Sequence, residues 1–196
     1  MLVDKSITEF LNELQSDAPT PGGGGVAALT AANGAALIMM AANLTISVEK
    51  YTEWHGLCRY VVAELEPILE QLEKDIDADA DYFSKLITAY KSKDDATIGA
   101  ASVDAATVPL EVMKLSVTAL GHCRSLLHNS NPNLVSDLHI AALCLRAAIM
   151  SAKYDVDENI HGMCKVDEKL AYEYRSKSEE YLEQGTTLSR EILEAK

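Results

Sequence analysis

From Ala18 to Val48 no side chain is charged, and within that span Pro19-Thr20-Pro21 leads into four consecutive glycines, Gly22 to Gly25. The glycines break whatever precedes them, and the alanine-rich run from Val26 to about Ser47 reads as a helix without a polar face. Such a helix has to be surrounded, by protein or by lipid. A phosphate-binding loop is excluded, because the lysine that would neutralise phosphate after the glycines is replaced by Val26-Ala27-Ala28. A membrane span is disfavoured by Asn33, Asn43 and the threonines, which leave the run weakly apolar, and by the absence of basic flanks. Two compatible readings remain. The glycines let a neighbouring helix approach closely, or their N–H groups at a helix N-terminus hold an anion.

The rest of the chain also follows helical periodicity. Ser6 and Glu9 have capping-box spacing, ahead of Ile7, Phe10, Leu11 and Leu14 on one face. A stripe through Trp54, Leu57, Cys58, Val61, Leu65, Ile68, Leu72, Ile76, Phe83, Leu86 and Tyr90 predicts a long helix, kinked at Pro67. One or two helices interrupted at Pro109 are expected over 94–127, a loop at 128–133, and helices at about 134–153 and 165–194. No strand alternation persists. The expected fold is all-α, a multi-helix bundle with kinked long helices in one domain, 1–196.

With 48% hydrophobic residues and a net charge of −13 the chain is expected to be soluble, with no nucleic-acid or membrane partner, since phosphates would be repelled. An anionic ligand would need local cations, for which Lys50, Lys114, Arg124, Arg146 and Lys153 are candidates. Cys58, Cys123, Cys144 and Cys164 form no paired motif, and the first residues lack the pattern of a secretory signal, so a reducing cytoplasm is expected. The five histidines show no zinc spacing, and no metal is expected.

Two polar concentrations stand out. Asp75, Asp77, Asp79 and Asp81 fit neither register of a calcium loop, which needs glycine sixth and glutamate twelfth. On a helix Asp75, Asp77 and Asp81 are expected on a solvated acidic face. Asp79, one turn before Phe83, edges inward, where crowding and burial would raise its pKa toward proton-transfer use. In the second, over 129–137, Asn133 or Ser136 can cap the next helix and Asp137 sits in its first turn. Capping explains one or two of these residues but not Asn131, Asn133, Ser136 and Asp137 together.

These stretches, with Pro109-Leu110 and Val156-Asp157-Glu158-Asn159-Ile160, resemble in order the cyclodeaminase/methenyltetrahydrofolate cyclohydrolase family, which includes the C-terminal domain of formiminotransferase-cyclodeaminase. The resemblance implies a free-standing, all-helical homodimer acting on tetrahydrofolate at the carbon bridging N5 and N10. The reaction would be a lyase-type closure of the formimino form with ammonia release, or hydrolysis of the methenyl ring. Family analogy leans slightly to ammonia release; the alternative is a decayed member serving as a folate-binding or helical scaffold. No cofactor beyond the folate substrate is implied. Carried over by position, Asp79 and Asp137 are the catalytic candidates, with Gly22, Gly23, Gly24, Phe83, Asn131 and Ser136 as substrate-binding candidates. Three departures from the family pattern bear on activity: Gly25 where a serine is usual, Asp155 where the family's motif begins with asparagine, and Tyr90-Lys91-Ser92-Lys93-Asp94-Asp95 in place of a proline-lysine step.

Overall fold

The structure, a computed structural model, describes residues 1–195 and consists of helices joined by short connections. Helix α1 spans Ile7–Leu14, α2 Gly23–Ile46, α3 His55–Ser92, α4 Asp95–Leu126, α5 Val135–Met163 and α6 Glu168–Glu194. Short 3₁₀ turns, Glu49–Trp54 and Pro132–Leu134, lead into α3 and α5. Among the described residues there is no strand, as the periodicity predicts.

The α1 capping box forms as expected. The Ser6 N–H donates to Glu9 Oε2 at 2.8 Å, and the Glu9 N–H donates to Ser6 Oγ at 3.3 Å. Helix α2 starts inside the glycine run, with Gly22 as an N-cap that has no side chain to contribute. It packs on α3, α4 and α5 through one broad face, where Ala28, Ala31, Ala35, Ile38, Ala41 and Ala42 are buried, and exposes Asn33, Ala36, Met40, Asn43 and Leu44 on the other. Gly34 shows why small residues are needed: a Cβ there would lie 2.7 Å from Leu145 Cγ and 3.1 Å from the Ala141 carbonyl. Helices α2 to α5 pack cyclically as a four-helix bundle, and α6 lies on α4 and α5.

Two differences from the sequence reading concern proline and helix length. Pro109 does not interrupt α4, whereas α3 runs through Pro67 as one long helix, as its apolar stripe predicts. A proline removes one helical hydrogen bond at a cost of ~3 kcal/mol, which the packing along a buried helix offsets, and Pro109 is itself buried. Helix α5 runs on to Met163, so Asp155 and Asn159 are helical. The expected cap of α5 also differs. Its N-cap is Leu134, with no side-chain hydrogen bond, while Ser136 is exposed and already inside the helix. Asn131 instead caps the 3₁₀ turn, accepting from the Asn133 N–H at 3.1 Å.

The bundle alternates up and down, so each end gathers defined segments. At one end the N-terminus of α2 meets Asp79 of α3. At the other, Thr45 near the C-terminus of α2 accepts from the Asn131 N–H at 3.0 Å.

Candidate active site

The α2 N-terminus opens into a cavity of about 340 Å³. Pro19, Thr20 and the first glycines line one side, Asp79, Phe83 and Leu86 of α3 another, Ala105 of α4 a third, and Asp155, Glu158 and Asn159 of α5 the last. The spacings follow from the helix: Asp79 and Phe83, and Asp155 and Asn159, are i, i+4 pairs that share a face.

Asp79 Oδ2 accepts from the Gly25 N–H at 2.9 Å. An added Cβ on Gly24 would lie 2.0 Å from Asp79 Oδ1 and 2.6 Å from its Cγ, so only glycine lets this carboxyl reach the helix end. The N–H groups of the first helical turn have no intrahelical acceptor, and here one is used by a carboxylate of the protein itself. Burial pushes the Asp79 carboxyl above its usual range, and the Gly25 hydrogen bond partly opposes that rise.

Asp155 stands across the glycine turn, its Oδ1 3.9 Å from where a Cβ on Gly23 would be. Burial, helped by the charge of Asp79, raises its carboxyl to about 6. The Asn159 side-chain amide donates back to the Asp155 carbonyl at 2.8 Å, which orients it along its own helix.

Among the described residues no lysine, arginine or histidine lines the cavity. Among the cations considered from sequence, Lys114 pairs with Glu111 at 2.9 Å, Arg124 with Glu191 at 2.8 Å, and Lys153 with Asp157. The cavity therefore has an excess of negative charge and suits a cationic group. Among the described residues no group of three histidine, cysteine or acidic side chains is placed to hold a metal ion.

The structure thus brings Gly22, Gly23, Gly24, Asp79 and Phe83 together. Asn131, Ser136 and Asp137 do not join them in this chain. They lie around the start of α5 while Asp155 lies near its end, about 27 Å along the helix at 1.5 Å rise per residue. Asp155, Glu158, Asn159 and Leu86 also line the cavity and are not among the site candidates that the sequence offers. The i, i+4 spacing of Asp155 and Asn159 was the available signal for two of them.

The acidic-face expectation needs correction at two positions. Asp75 is only 3% exposed. Its Oδ1 accepts from Gln71 Nε2 at 2.8 Å, and its Oδ2 is buried without a partner. Asp77 accepts from the backbone N–H groups of Leu2 and Val3 and so fastens the N-terminal segment to α3. The acidic run faces α4 and the N-terminal segment as well as water, and of the three only Asp81 is exposed as expected.

Residues 6–180 match the family described as formiminotransferase-cyclodeaminase. A methenyltetrahydrofolate cyclohydrolase of Methylorubrum extorquens is 32% identical over 99% of this chain and 97% of its own length. The formimidoyltransferase-cyclodeaminase of Mus musculus is 28% identical over 83% of this chain, which corresponds to 32% of that longer protein. The crystal structure of a formiminotetrahydrofolate cyclodeaminase from Thermotoga maritima superposes with a TM-score of 0.88 at 27% identity, covering 99% of this chain and 98% of that one.

Proposed function

The chain belongs to the formiminotransferase-cyclodeaminase family, and from that premise we propose that its cavity takes a tetrahydrofolate bearing one carbon at the N5–N10 bridge. It is a folate one-carbon enzyme acting on carbon–nitrogen bonds, as a cyclodeaminase or a methenyl cyclohydrolase. The observation that carries this reading is the partly desolvated carboxyl of Asp79, facing a cavity whose charged lining is acidic only. A methenyl bridge is a cation, and a formimino group is an amidine that binds a proton readily. Either would be stabilised there, and a carboxyl whose pKa burial raises is better suited to exchange protons with the bridging nitrogens. Phe83 offers an aromatic surface for the pterin. The glutamate tail of the folate carries negative charge and would lie outward, away from Asp79, Asp155 and Glu158.

The second subunit belongs to the same reading. Helix α5 exposes Ile140, Leu143, Ala147, Met150 and Tyr154, spaced alternately three and four apart, and α2, packed along it, exposes Met40 and Leu44. A stripe with this spacing is the seam of a helix pair, and a second copy of the chain would cover it. Its midpoint is Ala147. Antiparallel two-fold pairing about that point sets Ser136 opposite the partner subunit's Glu158, at the rim of that subunit's cavity. In such a homodimer Asn131, Ser136 and Asp137 would complete the pocket of the other protomer, with Asp137 near the cationic bridge.

The test follows the methenyl chromophore, its appearance from 5-formiminotetrahydrofolate and its decay by hydrolysis, in purified protein without added metal or nucleotide. Conversion in either assay above the uncatalysed rate supports the reading. Conversion in neither, with no folate binding by calorimetry, overturns it in favour of a scaffold. Sharing of sites is tested by mixing Asp79→Asn with Asp137→Asn. Mixed dimers retain one intact site if the two aspartates of a site come from different subunits, and activity returns. No recovery after confirmed subunit exchange refutes the sharing.

A further inference from the structure

We propose that Asp155 is a second catalytic residue, which holds a proton across the cavity from ionised Asp79 so that the two carboxyls work as an acid and a base. The inference rests on the folate reading above and adds a residue to it.

The two groups reach one cavity from different helices, on either side of the glycine turn. Their surroundings differ in a way that assigns their roles. Asp79 receives the Gly25 N–H at the positive end of α2, which favours its charged form. Among the described residues the Asp155 carboxyl oxygens accept no hydrogen bond, and they sit at the cavity wall. Glu158 is the other titratable group in the lining; α2 and α4 contribute none, and α3 contributes only Asp79. With no cation to compensate, two carboxylates in a desolvated cavity retain a proton, and it rests on the one without a donor. The rise of Asp155 to about 6, caused by burial and then by Asp79, agrees with that assignment.

Hydrolysis of a methenyl bridge uses both members. Water adds to the bridge carbon, a C–O bond forms, and the proton lost by the water passes to Asp79. The C–N5 bond then breaks, its electron pair stays on N5, and N5 takes the proton of Asp155. The hydroxyl proton on the new formyl group moves to the vacated Asp155 carboxylate as the C=O bond forms. The pair ends with two protons and releases one to solvent, which balances methenyl cation plus water against the neutral 10-formyl compound plus a proton.

The experiment compares wild type with Asp155→Asn, an isosteric change expected to keep the fold, confirmed by cooperative melting. Two quantities are read: kcat and KM for methenyl decay across pH, and the titration of aspartate carboxyl carbons by ¹³C NMR in ligand-free protein. The expected result is a bell-shaped wild-type profile and a kcat lowered ~10²-fold in the variant, with KM little changed and the alkaline limb gone. In the NMR titration the high-titrating carboxyl disappears, and the Asp79 titration changes little, because Asp155 is still protonated and neutral where Asp79 ionises. An active wild type with an equally active variant of unchanged profile overturns the role of Asp155 and leaves the folate reading intact. A wild type that converts neither folate overturns both.

Discussion

Replacing Asp75 by asparagine should stabilise this protein at neutral pH and do so only there. Asp75 is buried between α3 and its neighbours, with one oxygen on Gln71 and the other unpartnered. Burial, with a smaller contribution from Glu111, lifts its carboxyl from 3.8 to about 6, against the opposing effects of Gln71 and Lys74. A folded-state pKa above the unfolded one means that the native state binds more protons between those values. Stability therefore falls as pH rises through that window, and the full penalty is present above about 6. At 1.36 kcal/mol per unit the ceiling is about 3 kcal/mol. Asparagine keeps the acceptor for Gln71 but leaves a buried NH₂ in place of Oδ2, which costs about 1–3 kcal/mol if it finds no partner. The expected net gain is about 1 kcal/mol above pH 7, a Tm increase of ~2–4 °C for a domain of this size. At pH 4 the gain vanishes or changes sign. Thermal melts of both proteins by circular dichroism at several pH values measure it, and turnover should stay near wild type because Asp75 does not line the cavity. A variant less stable than wild type at pH 7.5, or a difference independent of pH, would refute the argument.

Asp79→Asn should lower kcat by ~10²–10⁴-fold with little loss of stability, since it removes a proton-transfer group but keeps an acceptor for the Gly25 N–H; steady-state kinetics and a melt check both halves. Gly24→Ala places a methyl on the Asp79 carboxyl, so it should cost about 1–3 kcal/mol in urea unfolding and displace Asp79, with turnover falling as well. On the homodimer reading proposed above, Leu143→Glu, which puts a charge on the exposed stripe of α5, should give monomers by sedimentation and lower activity. Cys123, fully buried with its thiol raised to about 12, should resist a thiol reagent in the native protein and react on unfolding, whereas exposed Cys164 reacts at once.

Helical structure was readable because its signals are local. The apolar spacing through Ile7, Phe10, Leu11 and Leu14, and the longer stripe of α3, needs no knowledge of distant residues. Pro109 misled for the same reason: the local rule counts a lost hydrogen bond but not the packing on α4 that outweighs it. Asp75 shows the limit most clearly, since four alternating aspartates look solvated until α4 and the N-terminal segment are placed against them. At the cavity, Asp79 and the glycines could be nominated from their own short motifs. Asp155 could not be joined to them, because what connects it to Asp79 is a contact between helices, not a spacing along the chain.

The uncharged span from Ala18 to Val48 follows from the same geometry. Asp79 and Asp155 lie on different helices, and they face one cavity only because α3 and α5 both pack against α2 near its start. The faces of α2 that α3, α4 and α5 approach could not keep a charge hydrated, and close approach at Gly34 leaves no room for a larger side chain, while its remaining face, with Met40 and Leu44, is the one proposed to meet a second subunit. At its N-terminus the requirement tightens, because a carboxyl must touch the backbone itself. A Cβ at Gly24 would occupy the place of Asp79 Oδ1. The glycine run and the alanine helix are thus two parts of one device, a bare backbone end that holds one carboxylate charged while a second, across the cavity, has no such donor.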